Sequence, residues 1–110
     1  MVVGKVFQCD VTVSSSVKDK LLIKHNIEIW EAEEAIYDDP NAFSITHRGC
    51  YFIYGQTYSG RYILILVRIL SLQEVIDLGF ERGRNVLKII TARDMNKKQR
   101  RLYNHRKGVR

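Results

Sequence analysis

Ile63 to Val67 (ILILV) is apolar at every position, so an extended strand there has no polar face. Such a strand must be covered from above and below, which places it in the middle of a sheet. The apolar run from Tyr62 ends at Arg68 and is far too short to cross a bilayer, which takes about 20 residues. With 110 residues, 45% of them hydrophobic, the chain can bury one core around that strand and hardly two, so a single domain over 1–110 is expected.

The flanking patterns predict what surrounds the strand. Lys5 to Val13 is rich in β-branched residues and predicts a first strand, broken by Ser14 to Ser16. Ser16 with Asp19 three residues on is a capping-box-like start, and Val17, Leu21 and His25 recur on one face, so a helix is expected from about Val17 to Lys24. Asn26 suits its end, because asparagine tolerates the left-handed conformation. A second helix is expected from about Trp30 to Tyr37, stopping before Asp39-Pro40. After Pro40 the period changes to two. Ser44–His47, Tyr51–Thr57 and Tyr62–Leu70 read as strands, the last two joined by Tyr58-Ser59-Gly60-Arg61. Ser71 and Glu74 make another capping box before a short amphipathic turn that Gly79 ends. Val86–Ala92 is the last strand. Asn96, with Gln99 at the third helical position, caps a final helix whose Leu102 and Tyr103 face the sheet. The expected layout is α+β, with two N-terminal helices, an antiparallel sheet of about four strands and a basic C-terminal helix.

Charge is distributed unevenly along this layout. From Arg93 onward, Arg93, Lys97, Lys98, Arg100, Arg101, Arg106, Lys107 and Arg110 stand against Asp94 alone, whereas the first 40 residues hold eight acids against Lys5, Lys18, Lys20 and Lys24. The net charge of +6 favours an acidic partner, either nucleic acid or an acidic protein surface. A basic helix displaces counter-ions from phosphates and an acidic segment repels them, so RNA or DNA is expected to dock on the C-terminal side. The same run also reads as a solvated basic tail. Cys9 and Cys50 have no CxxC or histidine spacing and read as buried or partly buried thiols of a reducing cytosol. His25, His47 and His105 lie far apart, and no ligand cluster points to a metal. No signal peptide precedes Gly4 and Lys5, so a cytoplasmic location is expected.

Three segments, KDKLLIKHNIEIWEAEEAIYDDP, YFIYGQTYSGRYILILVRI and VLKIITARDMNKKQRRLY, occur in that order across most of residues 18–103. In these the chain resembles the BrnT family of bacterial toxins, within the RelE/ParE-like superfamily. The resemblance implies a RelE-like fold and a type II toxin, a metal-independent ribonuclease that cleaves mRNA and inhibits translation. It further implies neutralisation by a cognate ribbon-helix-helix antitoxin, promoter DNA bound only through that complex, and a dimer or heterotetramer with the antitoxin. No cofactor and no membrane are implied. The chain departs from the family pattern with Asn26 in place of glycine, Gln99 in place of glutamate, and a longer segment from Ser71 to Asn85. Gln99 keeps the cap and removes an ionisable group. It leaves open a second reading, a non-catalytic RelE-like binding module that acts as co-repressor with a DNA-binding antitoxin.

Metal-free RNA cleavage requires the 2′-hydroxyl to lose a proton, the phosphate to take on negative charge and the 5′-oxygen to gain a proton. The resemblance puts Arg68 and Arg93 at this task, on neighbouring strands that present both guanidiniums to one side of the sheet. Arginine suits it because its planar fork binds phosphate oxygens bidentately. Each also has a structural reading, Arg68 as a strand residue paired with a helix carboxylate and Arg93 as a partner of helix-end carbonyls. His25 lies inside a matched segment and has the intrinsic basicity for proton transfer near neutrality, but a histidine at a helix C-terminus also serves the helix dipole. Lys97, Lys98, Arg100 and Arg101 are the expected RNA-binding residues. Glu31, Glu33 and Glu34 read as a solvated helix face.

Overall fold

The computed structural model describes residues 9–108. In chain order the elements are β1 (Asp10–Thr12), α1 (Ser15–His25), α2 (Ile29–Tyr37), β2 (Phe43–His47), β3 (Cys50–Gln56), β4 (Tyr62–Ile69), α3 (Leu72–Asp77), β5 (Val86–Asp94) and α4 (Lys97–Gly108). The strands form one sheet in the order β1-β5-β4-β3-β2, with β4 in the middle as its two apolar faces require. The α+β class is therefore as expected, but the sheet differs in two ways. It has five strands among the described residues, and it is mixed, because β1 runs parallel to β5. A parallel neighbour comes from a distant part of the chain, so nothing local to Asp10–Thr12 marks the pairing. The part of the first strand expected at 5–8 lies outside the described residues.

Local signals placed most helix ends. Asn26 adopts the left-handed conformation with φ 52°, and the Ser71–Glu74 capping box forms as expected. The start of α1 is a correction. Ser14, not Ser16, is the N-cap, its hydroxyl accepting from the Val17 amide at 3.3 Å. Three consecutive serines each offer a capping hydroxyl, and the one with extended backbone (φ −72°, ψ 154°) takes the role.

Side chains alternate along the strands, so the register defines two faces. On one face, Ile53, Ile63, Ile65, Val67, Leu87, Ile89 and Ala92 pack under α1 and α2, against Leu21, Ile27, Ala32, Ala35 and Ile36. Gly55 lets α2 lie this close, since a Cβ there would stand 2.5 Å from the Ala35 carbonyl oxygen. On the other face, α4 covers a smaller core of Phe43, Tyr54, Leu64, Met95 and Tyr103. Phe43 stacks on Tyr54 with ring centroids 4.7 Å apart. The buried Asp39 ties this layer down, accepting from the Tyr103 hydroxyl at 2.6 Å and from the Gln56 and Asn41 amides at 2.8 and 2.9 Å. Between β4 and β5 the register slips at Leu66/Val67. Leu66 pairs with Thr91 and Val67 with Ile89, so Ile90 is an extra residue in β5.

Candidate nucleic-acid interface

Helix α4 begins in a reciprocal cap. Asn96 Oδ1 accepts from the Gln99 amide and Gln99 Oε1 from the Asn96 amide, both at 2.9 Å. Glutamine thus does the structural work that glutamate does in a capping box. Tyr103 is buried beneath the helix and Leu102 half-buried, whereas Lys97, Lys98, Arg100, Arg101, His105, Arg106 and Lys107 are exposed. This is the orientation expected from sequence. No acid stands in the first turn. Lysines at a helix N-terminus meet the positive end of the dipole, an arrangement that disfavours the folded helix and favours an anion. An open depression of ≈ 350 Å³ lies at this end, lined by Tyr54, Asn96, Lys98, Gln99 and Leu102.

Arg93 reaches toward the same end. Its guanidinium donates to Gln99 Oε1 and to the Asp94 carbonyl oxygen, each at 3.4 Å. These are long bonds at an exposed position, so the fork is lightly held. Beside the depression, an exposed arginine, the helix N-terminus and Lys98 can together hold a phosphate.

The other two candidate catalytic residues are not brought to that place. Arg68 shares the face of Arg93, because Arg93 pairs with Leu64 and Arg68 lies four residues further along β4. At strand rise this puts the two roughly 13 Å apart. Arg68 is also engaged, its fork bound to both oxygens of Glu74 at 2.9 and 2.8 Å. That matches the structural reading of Arg68, with the carboxylate supplied by the segment that departs from the family pattern. His25 ends α1 on the opposite, helix-covered face, where its carbonyl accepts from Arg61 Nη2 at 2.9 Å. Arg68, Arg93 and His25 therefore form no common constellation.

The Arg68–Glu74 pair makes a direct prediction. The Arg68 fork, helped by the Ser71 amide, holds the Glu74 carboxyl down from 4.5 to about 2. With a depressed folded value, the pair's contribution is complete above pH 4.5 and is lost as pH falls through about 2. A ¹³C NMR titration should find the Glu74 midpoint near 2, and Arg68→Gln should raise it toward 4.5, with the Ser71 bonds holding it below that value. A Glu74 midpoint unmoved by Arg68→Gln would mean that the pair does not persist in solution.

Sequence reasoning passed over Arg61, reading it only as part of a turn. Its guanidinium donates to Asp94 Oδ1 at 2.8 Å, to both Glu31 oxygens at 3.2 Å, and to the carbonyls of Asn26 and His25 at 2.6 and 2.9 Å. It thereby neutralises the last carbonyls of α1 and ties that helix to the end of β5. Glu31 is consequently buried and paired, not solvated as expected, while Glu33 is exposed. Two signals pointed here: Asp94 is the lone acid in a basic segment, and Glu31 falls between Ile27 and Ala35 on the core side of its helix.

His47 and His105 are exposed; Cys9 is buried and Cys50 half-buried, as expected of the two cysteines. Among the described residues no group of three or more His, Cys, Asp or Glu is placed to hold a metal ion, and no helix is long and apolar enough to cross a membrane. No family model matches the chain, and no curated protein matches it.

Proposed function

We propose that this chain is a BrnT-type toxin, a metal-independent ribonuclease that binds mRNA along α4 and the adjoining end of β5 and is neutralised by a ribbon-helix-helix antitoxin in the cytoplasm. The observation that carries the reading is the acid-free, lysine-first helix α4, with Arg93 and an open depression at its N-terminus. Lys97, Lys98, Arg100 and Arg101 hold the backbone phosphates. Arg93 and the first amides of α4 stabilise the charge that builds on the phosphate as the 2′-oxygen, its proton passed to solvent, attacks and the 5′-oxygen leaves with a proton taken from solvent. His25 and Arg68 are assigned no step, because one faces the other side of the sheet and the other is held by Glu74. An antitoxin with an acidic segment covers the same positive face and carries the complex to promoter DNA. The experiment is induction of the chain alone. Growth should slow and transcripts should be cut, and normal growth with intact transcripts at high expression would overturn the reading.

A second reading is favoured by the dispersal of Arg68, Arg93 and His25. It is a RelE-like binding module without catalysis, a co-repressor with a DNA-binding antitoxin. It predicts the opposite outcome of that induction, together with a stable complex with its partner.

A further inference from the structure

We infer that the outer edge of β2 is a docking site for an extended acidic polypeptide segment, which adds to the sheet as a sixth strand. Strand β2 is terminal in the sheet, and among the described residues nothing pairs with its outer side. Arg48 and Gly49 both have positive φ (49° and 79°), the two-residue turn that makes His47 and Cys50 a hydrogen-bonded closing pair. Hydrogen-bonded pairs alternate from there, so Ile45 and Phe43 bond inward to β3. Ser44 and Thr46 therefore turn their amides and carbonyls outward, four groups at the spacing that an extended backbone presents.

Sheet edges that stay alone are usually blunted by lysine, proline or a bulge. None of these stands in Phe43–His47, and all five of its pairs with β3 are in regular register. The ends of the edge are positive. Arg48 lies at one end, and at the other Arg106 sits with its guanidinium carbon 4.3 Å from the Phe43 ring centroid. Of the acids nearby, Asp39 is occupied by its three hydrogen bonds, which leaves the exposed Asp38 beyond the strand's start. On the α4 side the edge offers the half-buried Ile45. An incoming strand that places an apolar residue beside Ile45 and acids toward Arg48 and Arg106 satisfies every one of these features. Backbone bonds supply the affinity and the flanking charges the selectivity.

The inference does not rest on the ribonuclease reading. Its test uses the full chain and a nine-residue probe peptide with alternating valine and threonine in the middle and glutamates at both ends. In NMR titrations the glutamate peptide should slow hydrogen exchange at the Ser44 and Thr46 amides. The same peptide N-methylated on the amides that face β2 should bind at least tenfold more weakly, with the protein itself unaltered. Its lysine counterpart should also bind at least tenfold more weakly, and an R48E/R106E variant should reverse that preference. Equal binding of the N-methylated peptide, or no binding of the glutamate peptide, would overturn the inference. So would protection of these two amides by an oligouridylate in place of the peptide.

Discussion

Arg93→Ala should cut RNA cleavage by a factor on the order of 10² to 10³, the usual consequence of removing one donor aimed at developing phosphate charge. The size follows from where the side chain sits. Its guanidinium is exposed beside the start of α4 and makes only 3.4 Å bonds, to Gln99 and the Asp94 carbonyl, so little folding free energy depends on it. A surface change of this kind shifts stability by no more than about 0.5 kcal/mol, and the variant should fold and bind its partner as before. Arg93→Lys should recover little, because a point charge does not replace a fork that holds two phosphate oxygens. Single-turnover cleavage of a labelled RNA by the purified chain measures both. Unchanged rates in Arg93→Ala would make this arginine a bystander and remove the main chemical support for the ribonuclease reading.

The largest loss of stability is expected from Asp39→Ala, at about 3 to 5 kcal/mol. The carboxylate is buried and receives three donors, one of which is the hydroxyl of the tyrosine that seats α4. Removing it strands the Gln56 and Asn41 amides and the Tyr103 hydroxyl without that acceptor, and each buried orphan costs about 1 to 3 kcal/mol before relaxation. Tyr103→Phe leaves the two backbone bonds to Asp39 in place and should cost clearly less. Urea unfolding of the two variants gives the comparison. Equal losses would show that the hydroxyl bond alone carries the contribution of Asp39. For a domain whose whole stability is about 5 to 15 kcal/mol, the Asp39 variant should also lose part of its folded population at 37 °C.

Features written in adjacent residues were legible in the sequence. The all-apolar ILILV segment announced a central strand, Asn26 the end of α1, and Asn96 with Gln99 the start of α4. Each of these is written in a pattern only a few residues long. The parallel pairing of β1 with β5 was hidden because its partner lies more than 70 residues away, and Asp10–Thr12 would have the same pattern beside any other strand. The candidate site was legible in its basic helix, whose exposure follows from charge and periodicity, and in the charge of Arg93. Its supposed partners were harder, since sequence marks Arg68 as a guanidinium and leaves unsaid that Glu74 fills it. Arg61 was missed for the same reason: its six acceptor atoms come from three separate stretches of chain.

The additional residue in β5 fixes which way the end of that strand points. Ile89 and Ala92 both face the large core although they are three positions apart, an odd separation that only Ile90 makes compatible with alternation. Counted on from Ile89 with Ile90 paired in strict alternation, position 93 would share the core's parity, and a guanidinium would be driven among Ile63, Ile65 and Leu21. The slip acts as a phase inverter between a buried half and a working half of one strand. Arg93 reaches the surface because of one isoleucine that pairs with nothing across the sheet.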